Sequence, residues 1–222
     1  MGSAKRDHPL PRLTAMTRPS QIQVREHAAL VDDLRTLTPE QWRTTSLCGD
    51  WDVEDVVAHL GAASGLTFWG WLRSIAGARF DADLHNQRRL EEFRGDAYPE
   101  TLERYAAAGP IALPRKESVA GLGELIVHSE DIRRPLGLKH QPDAEGLLLV
   151  ATFFASKDFA VNSRSLVKGL RLTATDAEFR TGDGPVANGP LLSLVMAMAG
   201  RRAALQDLDG DGVSVLSERL AV

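Results

Sequence analysis

The chain has 222 residues, a formal net charge of −4 and 25% charged residues, a composition typical of a soluble globular protein of one or two domains. The acidic balance, without a dense basic run, argues against a nucleic-acid surface. No apolar run reaches the roughly 18–20 residues of a membrane-spanning helix. The single cysteine, Cys48, excludes an intrachain disulfide and suits a reducing compartment. We therefore expect a cytoplasmic protein that binds neither nucleic acid nor membrane.

The N-terminal part of the chain is predicted to be helical after a short leader. Residues 1–18 are rich in proline and lack the apolar core of a signal peptide, so they are predicted to be a flexible leader. Helical periodicity predicts a helix over residues 20–34. A capping box that begins at Thr38 predicts a short second helix, and a longer one is predicted from residue 51 to about residue 76.

Two further helical regions complete a predicted bundle. The first covers residues 84–108 and is expected to break near Gly95. The second ends before Pro135, because proline cannot continue a helix without losing a hydrogen bond. Long helices with short connections are typical of an up-and-down four-helix bundle. We therefore predict an all-helical domain over residues 19–140.

The pattern changes in residues 141–222, which are predicted to form a smaller domain of helices and strands. The predicted elements are a helix at 143–161, two pairing strands at 169–175 and 178–181, a helix at 190–199 and a last short strand or turn at 212–216. The fold class predicted for the whole chain is therefore α+β.

Two helices carry residue types that can bind a metal. Glu124 and His128 are four residues apart and share a helix face. If that face meets His59 across the bundle core, two imidazoles and one carboxylate can enclose a divalent cation. Three protein ligands with an open fourth position are typical of a catalytic zinc. Taken alone, however, a Glu-x-x-x-His pair is more often an ordinary polar pair on an amphipathic helix.

Three ordered segments resemble one known family. They are Leu-Cys-Gly-Asp-Trp with a following Val-Val-Ala-His-Leu at 47–60, Glu-x-x-x-His with a trailing Asp-Ile-x-x-Pro-x-Gly at 124–137, and Gly-Leu-Arg-Leu-x-Ala-Thr-Asp at 169–176 with a later Gly-Arg at 200–201. Together they resemble the mycothiol-dependent maleylpyruvate isomerase family, a branch of the DinB-like metalloproteins. The resemblance implies a DinB-like four-helix bundle followed by a C-terminal domain similar to sterol carrier proteins.

The resemblance also implies a site and a chemistry. His59, Glu124 and His128 would bind Zn²⁺ or another divalent metal, and Arg201 would serve catalysis and cofactor binding. Mycothiol would be the thiol cosubstrate, and its metal-bound thiolate would add to an electrophilic small molecule. The outcome would be either cis–trans isomerisation or S-transfer. The protein would act as a monomer or a homodimer.

Two other functions fit the residues. The first is a metal-bearing binding protein that holds a small molecule without turnover. The second is a metallohydrolase that needs no thiol, in which a metal-bound water attacks the substrate. The hydrolase requires a general base, and the acidic residues available in the sequence for that role are Glu54, Asp55, Glu130 and Asp131.

Some further residues have a structural interpretation. Cys48 lies in a turn without a neighbouring basic residue in the sequence, so a buried small side chain is favoured over a nucleophile. Arg133 and Arg134 follow the ligand helix and are expected to form structural ion pairs. Residues 207–218 match the D-x-D-x-D-G-x5-E calcium-loop pattern. No helix can follow them before the chain ends, so a glycine-rich turn is favoured there.

Overall fold

The computed structural model describes residues 18–64, 82–111, 118–159 and 161–221. The helices are α1 (Arg18–Arg35), α2 (Val53–Ser64), α3 (Ala82–Phe93), α4 (Tyr98–Ala108), α5 (Ser118–Leu136), α6 (Ala144–Ser156), α7 (Ser163–Leu166), α8 (Leu191–Met198) and α9 (Gly212–Arg219). Short 3₁₀ segments span Gln41–Arg43 and Arg202–Asp207, and the strands are β1 (Arg171–Ala174), β2 (Arg180–Thr181) and β3 (Val186–Gly189). The predicted leader lies outside the described residues except for Arg18, and so does the predicted helix beyond Ser64.

Helix α5 belongs to two hydrophobic cores. Leu125 and Ile132 pack with residues of α1, α2 and α4 in the first core. Leu122 and Ile126 pack with α6, α8 and the strands in the second core. The two pairs lie on different faces of one helix, so α5 connects the helical bundle to the C-terminal part. This arrangement confirms the predicted α+β class, with a helical N-terminal domain and a smaller C-terminal α/β part.

Local capping residues account for two of the predicted helix starts. The Thr38 amide donates to Gln41 Oε1 (2.9 Å) and the Gln41 amide to Thr38 Oγ1 (3.4 Å), as the predicted capping box requires. Asp52 and Asp55 form a second reciprocal pair before α2, with N–O distances of 2.9 and 3.3 Å. These contacts satisfy amides that have no partner inside a helix. The Asp52–Asp55 pair sets where α2, the helix that carries His59, begins.

The end of α5 differs from the prediction, because Pro135 lies inside the helix. The helix ends at Leu136 with a Schellman motif, in which Gly137 has a φ of +66° and Leu138 N donates to Arg133 O (3.0 Å). Proline has no N–H for the carbonyl of Asp131. That carbonyl accepts from the Leu47 amide instead (3.1 Å). The proline therefore leaves a helix carbonyl free to hold the loop that precedes α2.

The C-terminal strands form a sheet in the order β2-β1-β3. The predicted antiparallel pairing of β1 with β2 is confirmed, with Leu172 opposite Thr181. Strand β3 was not predicted and pairs parallel with β1. The predicted helix at 143–161 begins as expected, with Asp143 as its cap, and ends earlier, at Ser156.

The prediction of a last strand or turn at 212–216 is wrong, because these residues belong to α9. Val213 and Val215 flank the polar Ser214, and this alternation favours a strand. The buried positions, however, are Gly212 and Leu216, four residues apart and on one helix face. A Cβ atom at Gly212 would lie 2.8 Å from the carbonyl oxygen of Pro185. Helix α9 therefore packs closely on the segment before β3.

No helix in the described part of the chain is both long and apolar enough to cross a bilayer.

Candidate metal centre

The structure brings His59, Glu124 and His128 together. One potential ligand atom from each lies within 4.8 Å of the other two. The two imidazole centroids are 4.9 Å apart, and His128 Nε2 is 3.4 Å from Glu124 Oε2. The Glu124 side chain is 30% exposed and that of His128 is 9% exposed. The group therefore lies at the edge of the bundle core, with the carboxylate on its open side.

Packing of α2 directs His59 towards α5. Val56, Val57 and Leu60 on this helix are buried in the bundle core. A side chain at Gly61 would overlap the Phe93 ring, so glycine allows α3 to pack closely on α2. The Trp51 ring, just before the helix, lies 5.1 Å from the His59 ring. These contacts fix the helix rotation, and with it the direction of the imidazole.

The three groups are electrostatically complementary. Burial raises the pKa of Glu124, but a hydrogen bond with His128 and the positive charges nearby outweigh it, so its pKa is below the ordinary value. Burial lowers the pKa of His128, whereas hydrogen bonds with Asp131, Cys48 and Glu124 raise it well above the ordinary value. A neutral carboxylic acid is a poor metal ligand, so an ionised Glu124 suits the candidate site.

Arg201, from the C-terminal part, reaches the same site. Its Nε and Nη2 donate to the two oxygens of Asp131 (3.0 and 2.6 Å), and its Nη1 donates to the carbonyl of Ala199 (2.7 Å). Its side chain is 13% exposed, and its charge contributes to lowering the pKa of Glu124. All four predicted site residues therefore converge. The guanidinium is nevertheless held by Asp131 through Nε and Nη2 and by the Ala199 carbonyl through Nη1.

A second possible ligand group consists of Cys48, His128 and Asp131. Cys48 is half-buried, and Arg201 Nη2 lies 3.8 Å from its sulfur. Both oxygens of Asp131 already bind other side chains, because Arg201 contacts both and His128 Nδ1 lies 3.0 Å from one of them. A metal in this group would have to displace that ion pair. The donor set of His59, Glu124 and His128 is the better fit for a metal.

Asp131 was predicted only as a possible general base and Cys48 only as a buried side chain, and neither was predicted to be a neighbour of His128. Asp131 follows His128 by three residues and Glu124 by seven, so helical spacing alone places it on the same face. For Asp131 the signal was therefore present in the sequence. The approach of Cys48 to His128 and Arg201 depends on the loop before α2, and no local pattern predicts it.

The ion pairs expected for Arg133 and Arg134, which follow the candidate ligands on α5, are confirmed. Arg133 binds Asp33 on α1 (2.7 Å). Arg134 binds Asp207 (2.8 Å), which also accepts from the Ser193 hydroxyl (2.7 Å). The first acid of the calcium-loop pattern is thus engaged in joining α5 to the C-terminal part.

These observations define a helical-bundle protein with a candidate metal centre where the bundle meets a small α/β part. Residues 24–120 match a family model described as the mycothiol maleylpyruvate isomerase N-terminal domain. This segment is therefore similar to the N-terminal domain of that family, in agreement with the resemblance seen in the sequence. The matched segment includes His59 and ends four residues before Glu124.

Solved structures also resemble the chain. A variant of mycothiol-dependent maleylpyruvate isomerase, with one histidine replaced by alanine, aligns over 87% of this chain and 91% of its own, with a TM-score of 0.56 and 12% identity. A second structure of mycothiol-dependent maleylpyruvate isomerase has the same coverage and identity and a TM-score of 0.45. At this identity the first similarity establishes the fold alone. No curated protein matches the sequence.

Proposed function

We propose that this protein is a metal-dependent enzyme that uses mycothiol, a low-molecular-weight thiol, to attack an electrophilic small molecule. The observation that carries the proposal is the convergence of ligand atoms from His59, Glu124 and His128 within 4.8 Å. The N-terminal family domain supports it, and so does a fold similar to that of a mycothiol-dependent maleylpyruvate isomerase. The single cysteine fits the cytoplasmic setting that such a thiol requires.

The donor set fits zinc or a similar divalent cation. Two imidazoles and a carboxylate are zinc ligands, and three protein donors leave room for a further ligand. A bound cation would favour the thiolate form of the cosubstrate over the thiol. His59 and His128 would hold the cation from two helices. Glu124, on the open side, would supply the negative charge that makes the site selective for a cation.

Arg201 is proposed to orient the reactants. Its positive charge helps to lower the pKa of Glu124, after the larger contributions of His128 and His59. An acidic electrophile or an acidic group of the cosubstrate would be attracted by the same charge. Trp51, against His59, would contribute an apolar wall. Arg201 would thus act as a catalytic and cosubstrate-binding residue.

The proposed chemistry leaves two products open. In both cases the sulfur of the thiolate forms a bond with an electrophilic carbon of a conjugated double bond, and the π electrons of that double bond move to the conjugated carbonyl group as an enolate. If the C–S bond breaks again after rotation about the former double bond, the enzyme is a cis–trans isomerase of the maleylpyruvate isomerase type. If the enolate instead takes up a proton and the thioether is released, the enzyme is an S-transferase.

A thiol-independent hydrolase is less well supported. It would need an unengaged carboxylate as its general base, and each acid available for that role faces an arginine. The pairs are Glu54 with Arg94, Asp55 with Arg94, Glu130 with Arg134, and Asp131 with Arg201.

The test is an assay of mycothiol consumption with maleylpyruvate and a panel of other electrophiles. It compares metal-loaded protein, chelator-treated protein and the same protein reloaded with Zn²⁺. We expect activity in the first and third samples, and product analysis distinguishes an isomer from a thioether. Bound metal without turnover of any electrophile would contradict the proposed enzymatic function and favour a metal-bearing binding protein.

A further inference from the structure

Asp131 occupies a position between the candidate metal ligands and the C-terminal part. Its side chain is fully buried, at 0% exposure. One oxygen accepts from Arg201 Nε (3.0 Å). The other accepts from Arg201 Nη2 (2.6 Å) and lies 3.0 Å from His128 Nδ1. A single carboxylate thus contacts a residue of α5 and a residue that follows α8.

The contact with Arg201 determines which nitrogen of His128 carries hydrogen. A carboxylate held by two parallel N–H groups of a guanidinium is ionised and can only accept hydrogen bonds. His128 Nδ1 must therefore donate to Asp131. In the neutral imidazole the other nitrogen, Nε2, is then the one with a free lone pair. Nε2 is the atom that lies 3.4 Å from Glu124 Oε2.

The backbone of Asp131 is fixed as well. Its carbonyl accepts from the Leu47 amide (3.1 Å), because Pro135 offers no N–H to it. The loop that contains Cys48 and Trp51 is thereby tied to the same residue. Side chain and backbone together connect α5, the loop before α2 and the segment at Arg201. The carboxylate has little freedom to rotate away from His128.

We propose that Asp131 is a positioning residue of the metal site, which holds the His128 ring with Nε2 directed towards the metal and holds Arg201 beside it. This inference rests on the proposed function. A carboxylate behind a metal-ligating imidazole commonly fixes its orientation, and loss of such a partner typically weakens metal affinity about 10- to 100-fold. Asp131 acts on the metal through His128 and is not itself a ligand.

The experiment measures Zn²⁺ and Co²⁺ affinity by competition with a chromophoric chelator. Asp131→Leu is similar in size but offers no acceptor to His128 Nδ1, so we expect about 10- to 100-fold weaker binding. Asp33→Leu is the matched control. It removes the partner of Arg133 on another face of α5, and we expect its metal affinity to equal that of the wild type.

A second set of variants separates a direct action on His128 from an action through Arg201. Arg201→Ala leaves the contact between Asp131 and His128, so we expect affinity within a few-fold of wild type. The double variant, Asp131→Leu with Arg201→Ala, avoids an unpaired buried arginine and protects folding. It should bind metal about 10- to 100-fold more weakly than Arg201→Ala alone. Equal affinity of these two variants would overturn the inference.

NMR of the Co²⁺-loaded protein provides a readout that a purely structural role would not change. The protected Nδ1–H proton of His128 should give an exchangeable resonance that persists in Asp33→Leu and Arg201→Ala. It should disappear in Asp131→Leu and in the double variant. Persistence there would contradict the positioning role while leaving the metal site intact. A wild-type protein that binds neither metal would instead overturn the proposed function, and the inference with it.

Discussion

Two carboxylates with fully buried side chains, Glu54 on α2 and Asp131 on α5, are both paired with arginine but have different surroundings. Glu54 accepts from the Thr101 hydroxyl (2.8 Å), Arg94 (2.9 Å) and Arg43 (2.8 Å). We call Glu54 and these three partners the Glu54 network. The network joins α2 to α4 and to the flanking segments of the bundle, and each of the three partners contacts the Glu54 carboxylate.

The Asp131 network consists of Asp131, His128 and Arg201. It differs in one respect, because an imidazole stands between its carboxylate and the groups on the open side, Glu124 and His59. A buried carboxylate–arginine pair therefore does not identify a functional site. The proposed metal site differs because an imidazole faces such a pair on one side and potential metal ligands on the other. The following predictions test this distinction, from the largest expected effect to the smallest.

The largest effect is expected from the ligands themselves. His59→Ala, Glu124→Ala and His128→Ala should each reduce the metal content from about one ion per chain to a small fraction, because two donors hold a divalent cation poorly. Elemental analysis of the purified proteins by mass spectrometry measures this. Glu54→Gln is the control from the other network and should retain the metal. Full occupancy in all three alanine variants would exclude the ligand assignment.

The second effect concerns the arginines of the two networks. Arg201→Ala should lose about 2–4 kcal/mol of transition-state stabilisation, as expected for a desolvated charge contact, or roughly 30- to 1,000-fold in kcat/KM. Arg201→Lys keeps the charge but not the planar fork, so it should lose part of this. Arg94→Ala should leave kcat/KM unchanged. Steady-state kinetics measure kcat/KM of these variants. Equal losses at Arg201 and Arg94 would remove the distinction between the networks.

The third effect is on stability. Glu54→Gln should lower the free energy of unfolding by about 2 kcal/mol, because hydrogen bonds to a charged group are weakened in a buried position. Metal content and kcat/KM should remain those of the wild type. Urea denaturation followed by circular dichroism measures the loss. A variant as stable as the wild type but inactive would place Glu54 in the functional site.

The fourth effect is a pH dependence at Asp55, which contacts Arg94 of the Glu54 network. Burial and the charge of Asp52 raise the pKa of Asp55 above its ordinary 3.8, despite the opposing charge of Arg94. Ionisation of Asp55 therefore costs the folded state free energy. The cost is absent below the unfolded-state pKa and complete above the raised pKa of the folded protein.

Wild type should thus lose stability relative to Asp55→Asn as the pH rises from about 3 to 7, a window chosen around the ordinary carboxyl pKa. Urea unfolding of both proteins at several pH values gives the difference. A difference that grows in favour of wild type over this range would have the wrong sign.

The smallest effect is expected at Cys48, at the edge of the Asp131 network. Cys48→Ser should keep most of the activity, because the proposed nucleophile belongs to the thiol cosubstrate. The assay is mycothiol consumption, with metal content and circular dichroism as controls. Loss of several orders of magnitude, with metal and fold intact, would move the nucleophile to the protein and refute the proposed chemistry.

The sequence allowed much of the bundle to be predicted, and less of the C-terminal part. The helix boundaries set by Thr38 and Asp143 follow from hydrogen bonds within a few residues. Strand β3 could not be predicted because its pairing with β1 is parallel and non-local. The segment at Val213 alternates like a strand, yet it forms a helix that buries Gly212 and Leu216 on one face.

The sequence by itself determined that Glu124, His128 and Asp131 share one face of α5, because helical geometry depends only on spacing. His59 was a candidate third ligand from its residue type alone, and the family resemblance supported it and added Arg201. Only the tertiary structure decided that Asp131 lies between His128 and Arg201, which is 70 residues away in sequence. Such a contact depends on the packing of α5 in two cores at once, and no local pattern contains that information. The function proposed for the site rests on both kinds of observation.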